Sequence, residues 1–182
     1  MVNIVPSPIG NLNMFLRLAL MGFVIWFLAG LRDVTLAEPP RFPAGAETAS
    51  RLDPSELMLR APPLLQTGRG QEAVFWFYAG QLRWRSRLNA HSGQDPTGQL
   101  AAFSALFGTI GPEVNAWAFG DIPLLQDTIS SVLEWDRLYP DASVPATVAQ
   151  STRSGLQNLS VSIGLDADHI RRERVANGLT NR

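Results

Sequence analysis

The chain has 182 residues, a formal net charge of −1 and no cysteine. A charge this close to zero supplies no general field for nucleic acid, and the missing thiols exclude disulfides, cysteine nucleophiles and zinc–thiolate sites. All fifteen basic residues are arginine, a usage that follows from GC-rich coding and carries no functional argument.

Near the N-terminus, Leu18–Leu31 reads LALMGFVIWFLAGL, an apolar run free of charge between Arg17 and Arg32. It is short for a membrane span, which needs about 20 residues, and fits the apolar stretch of a secretory signal. Thr35-Leu36-Ala37 places small residues where a signal peptidase acts, so residues 1–37 read as a signal peptide cleaved before Glu38. The alternative is an uncleaved anchor, the run reaching back to Met14 with Arg17 snorkelling to the interface. Residues 1–13 carry no positive charge, and a start at Met14 gives a better leader. On either reading the segment engages the membrane or the export machinery. The domain behind it is then periplasmic or exported, or held outside the cytoplasm by an inner-membrane anchor.

Residues 38–52 are rich in proline and small side chains and read as a linker or arm. Asp53-Pro54-Ser55-Glu56 is a helix start, with an N-cap aspartate, proline at the first helical position and glutamate three residues past the cap. Pro62-Pro63 is expected to end that helix. A turn at Gly68–Gly70 leads into a helix over 71–89, followed by a polar loop over 91–98. A helix over 99–110 is expected to stop at Gly111-Pro112, with a short piece at 113–119. Asp121 caps the next helix, 122–138, ended by Pro140. In the tail, Leu159–Leu165 alternates apolar and polar, a strand signature without a visible partner. Asp166 or Asp168 then caps a final short helix. No internal repeat is present. The expectation is an all-α fold, a single irregular helical bundle behind the N-terminal apolar helix, with a core domain at 53–140 and a C-terminal segment at 141–182.

Helix 71–89 is apolar on most sides, as a central helix is. Its polar groups fall on a stripe of Glu72, Trp76, Gly80, Arg83 and Arg87. An aromatic beside arginines suits a protein interface, which makes Trp76, Arg83 and Arg87 candidate binding residues. The other reading packs a helix at Gly80, with that helix's acids pairing the arginines. Asp136 shares the apolar arc of helix 122–138 with Ile122, Leu125, Ile129 and Val132, and a carboxylate facing a core needs a partner. Arg83, Arg85 and Arg87 are the available cations, so Asp136 is a candidate structural ion pair.

His91 and His169 are the only histidines. Asp166-x-Asp168-His169 reads as helix capping rather than metal ligation, and no catalytic set or phosphate loop assembles, so no metal, cofactor or catalytic residue is expected. Arg171, Arg172 and Arg174 read as a solvated helix end. Glu72–Arg83, EAVFWFYAGQLR, resembles the first helix of a tetratricopeptide or Sel1-like unit. It is also similar to helices of small exported bacterial proteins, some of the toxin-immunity type. That resemblance implies a non-catalytic factor that binds a protein partner in the envelope, with immunity-type inhibition of a toxin as one form. An accessory subunit of an envelope complex and a small periplasmic hydrolase are the alternatives.

Overall fold

The computed structural model describes residues 41–91 and 98–182, which belong to one compact unit beginning at Pro40. The expected signal peptide or anchor at 1–37 and most of the 91–98 loop lie outside the described residues. Eight helices follow in order: α1 (Ala46–Ala49), α2 (Pro54–Met58), α3 (Ala61–Gln66), α4 (Gly70–Ala90), α5 (Gln99–Ala118), α6 (Ile122–Leu138), α7 (Ala146–Leu165) and α8 (Ala167–Ala176). No strand occurs among the described residues, so the fold is all-α.

α4 is the axle of the bundle. Every residue from Ala73 to Trp84 is buried, so all sides of the helix are covered. α2, α3, α5, α6 and α7 each pack on it. Its aromatic side chains key these contacts. Phe77 stacks on Phe107 of α5 at 5.8 Å, Trp84 meets Phe103 edge-on at 5.4 Å, and Phe75 meets Trp135 of α6 at 6.0 Å. Such pairs add roughly 0.5–1.5 kcal/mol each beyond the area they bury.

The helix starts are chemically explicit. Asp53 accepts from the Ser55 amide while Glu56 reaches back to the Asp53 amide, a complete capping box. Asp121 accepts from the Leu124 amide at 3.0 Å at the head of α6. Four expectations from the sequence need correction. The arm is not a free linker from residue 41 onward. Ala46 and Ala49 are buried, Phe42 packs against Phe75, and the Trp135 indole N–H donates to the Ala46 carbonyl at 2.9 Å. Pro62 and Pro63 do not only end a helix but open the next, occupying the first turn of α3, where the missing N–H costs nothing. α5 runs through Gly111-Pro112 to Ala118. Pro112 and Gly108 are both exposed, so the carbonyl deprived of its bond meets water, while Ile110 and Val114 stay buried on the inner side. Leu159–Leu165 is not a strand but the last two turns of α7. Only Ile163 of its alternating apolar residues is buried, and the helix satisfies its own backbone where a lone strand could not. The tail thus holds two helices, α7 and α8.

Gly80 sets the distance between α4 and α2. A Cβ there would stand 2.7 Å from the Pro54 carbonyl oxygen and 2.9 Å from the Met58 nitrogen, both backbone atoms that cannot swing aside. At Gly108 a Cβ would meet nothing within 4 Å. Gly80→Ala is therefore expected to lose about 1–3 kcal/mol despite its better helix propensity. Gly108→Ala should gain roughly 0.5–1 kcal/mol. Urea denaturation of the two variants checks this, and equal effects at both sites would contradict the packing described.

Candidate functional site

The polar stripe of α4 is not a surface. Trp76 and Arg83 are each 2% exposed, and Glu72 and Arg87 are half-buried. Gly80 admits α2 against the stripe, so that helix and the arm cover the residues that composition alone presents as a contact face. Trp76 lies between Phe75 and Trp135, with the Arg60 guanidinium 4.8 Å above its ring.

Arg83 and Asp136 form the ion pair expected from the arc of α6. The Arg83 Nε donates to Asp136 Oδ1 at 2.7 Å, and the second oxygen accepts from Arg153 of α7 at 2.9 Å. The remaining Arg83 donors reach the Ser50 carbonyl at 2.9 Å and the Tyr139 carbonyl, and its plane lies 4.4 Å from the Trp135 centroid. One residue thereby ties the arm, α4, α6 and the end of α6 together, with α7 joined through Arg153. Next to it, Arg87 donates to Asp141 Oδ2 at 2.7 Å and to Asp53 Oδ2 at 3.0 Å. Burial works to raise the pKa of both Asp53 and Asp141, but serine hydroxyl and amide donors and the Arg87 charge outweigh it, holding both below the usual carboxylate value. These arginines are scaffold.

The surface that remains open is on the other side of α4. Tyr78, Gln81, Leu82, Arg85 and Asn89 form one face of the helix at steps of three and four, beside Gly155, Leu156 and Leu159 of α7. Between them lies a groove of about 440 Å³, within the range of binding clefts. α5 and α7 both pack on α4 but form no packed seam with each other, which leaves a groove over this face with Arg85 and Asn89 exposed along it. Leu82 is buried in the floor and Leu159 is 47% exposed at the lip. The Asn89 amide donates to the Thr152 hydroxyl at 3.2 Å, tying one end of the groove. At the other end the Tyr78 hydroxyl donates to Asn115 Oδ1 at 3.3 Å. Burial pushes the Tyr78 phenol up to about 12, against the opposing Arg85 charge, so it stays a neutral donor.

Two groups in the groove lack a hydrogen-bond or ion-pair partner among the described residues. Gln81 is only 8% exposed yet makes no hydrogen bond to the described residues. Arg85 has no carboxylate within salt-bridge distance; its guanidinium lies 5.5 Å from the Phe103 ring centroid. Neither residue stands out in the sequence, because glutamine and arginine are ordinary on a helix surface. The legible signal was the spacing of a second polar row, Gln81, Arg85 and Asn89, on a helix otherwise apolar. Among the described residues the His91 Nδ1–H donates to the Arg87 carbonyl at 2.8 Å, and His169 is exposed beside Asp168, which pairs with Arg171. No cluster of three potential metal ligands occurs among the described residues.

No protein-family model, curated protein or solved structure matches this chain.

Asp136→Ala strands two guanidiniums, one of them fully buried, and is expected to cost about 3–5 kcal/mol in chemical denaturation. A loss below about 1 kcal/mol would place Asp136 outside the core. The acid limb tests the outer pair. A carboxyl whose folded-state pKa is depressed adds stability above its unfolded value of 3.8 and loses it as pH falls through the folded one. The denaturation midpoint should therefore drop below about pH 4. In Asp141→Asn the drop over the same range should be shallower, because one of the two linked protons is gone.

Proposed function

We propose that this chain is an exported, non-catalytic protein-binding factor whose folded domain holds its partner in the groove between α4 and α7. The resemblance of Glu72–Arg83 to helices of immunity-type proteins makes a toxin inhibitor one form of this reading. Export rests on the Leu18–Leu31 run and the Thr35-Leu36-Ala37 site that follows it. The observation that carries the binding reading is the groove itself. It combines a buried apolar floor, an exposed leucine at the lip and the Gln81 amide, which has no partner among the described residues. Partner surfaces have this makeup, an apolar centre with a few polar groups that fix register. The Trp76–Arg83 stripe is not part of the proposed contact, since a partner cannot reach it.

Leu159 and Leu165 offer a matched comparison on one helix. Leu165 is 82% exposed but does not line the groove, and Leu159 does. A photo-crosslinking side chain placed at 159 of the full-length protein in its own cells should give a discrete adduct in the envelope fraction. The same probe at 165 should not. Identical adducts from both positions, or none from 159, would overturn groove-mediated binding, and turnover of an ester or peptide substrate by the purified protein would overturn the non-catalytic reading.

A further inference from the structure

We infer that the groove between α4 and α7 takes an acidic peptide segment of the partner, one carrying an apolar side chain two residues from a carboxylate. The inference rests on the proposed protein-binding role and specifies what that role recognises. Three features of the groove impose it. Arg85 lines the groove, exposed and with no carboxylate partner among the described residues, and its guanidinium carbon lies 5.5 Å from the Phe103 ring centroid. Gln81 lines the groove with an amide of one acceptor and two donors that has no partner among the described residues. A partner that covers this amide must engage it, and a peptide backbone offers the complementary donor and acceptor. Leu82, Leu156 and Leu159 supply the apolar part.

Spacing converts these features into a pattern. Gln81 and Arg85 are one turn apart, a rise of about 6 Å along α4. Two residues of extended chain span about 6.8 Å and return their side chains to the same face. An extended segment that bonds Gln81 through its backbone and seats an apolar side chain beside Leu82 and Leu159 therefore brings the side chain two residues away to Arg85. Gly155 has open space where a Cβ would stand, so the α7 wall leaves room for a backbone to pass. A basic segment would set like charges together at Arg85, and a wholly apolar one would leave Gln81 unpaired.

The test uses the full-length protein and two capped tripeptides, acetyl-Leu-Ala-Glu-amide and acetyl-Leu-Ala-Gln-amide, followed by NMR titration of the Gln81 side-chain amide and the Leu156 and Leu159 methyl groups. The glutamate peptide should shift these signals and bind about tenfold more tightly than the glutamine peptide, the size of one charge-assisted contact. In Arg85→Gln, an exposed change expected to keep the melting temperature, the two peptides should bind alike. Arg137→Gln, remote from the groove, should keep the preference. Equal binding of both peptides to the unaltered protein would overturn the acidic preference while leaving a peptide groove in place. If neither peptide shifts the groove signals, the inference falls, and the crosslink at 159 decides separately whether a partner binds there at all.

Discussion

A guanidinium and a carboxylate taken out of water together lose more hydration than their attraction returns unless the donors and acceptors left over are also engaged. Arg83 and Asp136 meet that condition almost completely. The guanidinium reaches one carboxylate oxygen and two backbone carbonyls, and the carboxylate's other oxygen is taken by Arg153. The consequence is geometric. The Ser50 and Tyr139 carbonyls can be met at once only if the arm and the end of α6 are both in place, so the pair fixes where the chain before α2 and the chain after α6 must run. The aromatic contacts of Phe75 and Trp135 fill the space around it but have no comparable directional demand.

Charge on this side of the bundle is distributed so that no buried cation stands alone. Asp136 sits between two arginines, and Arg87 sits between two aspartates. The two triads carry opposite excess charge and lie one helical turn apart on α4. The opposite face has no such balance among the described residues, since Arg85 lines the groove without an acid. The difference between the two faces is what separates scaffold from candidate contact, and it is a difference in partners rather than in residue type.

That distinction also marks how far the sequence could be read. The helix starts at Asp53 and Asp121 were legible because capping is local, requiring only a side chain and the amides two or three residues on. The central placement of α4 was legible because an all-round apolar helix has few other places to go. Asp136 was legible because an acid on an apolar arc demands a cation. The stripe of Trp76 and Arg83 was legible only as two alternatives, an interface or a packed seam, because a helical wheel reports which residues share a face and not what covers it; the glycine between them was the clue to the packed one, since it removes bulk where α2 closes in. Pro112 misled because a proline ends a helix only when packing on both sides of it does not insist on continuing. The period of two in Leu159–Leu165 misled because it coincided with no partner strand. The groove stayed hidden because it is an absence of coverage between two helices, a property of the assembled bundle that no single segment carries.

The docked arm has a consequence in time. The Trp135 indole bonds the Ala46 carbonyl across 89 positions of chain, and Arg41 meets Glu134 across 93. Helical bundles ordinarily fold fast because their contacts are local, but contacts of this span require a large loop to close before they return anything. During synthesis the arm emerges first and must wait, its alanine face uncovered, until α6 has been made. Folding of this domain is therefore gated by the late arrival of α6, and the rate should follow the chain's ability to bring its first and third quarters together rather than the speed with which its helices form.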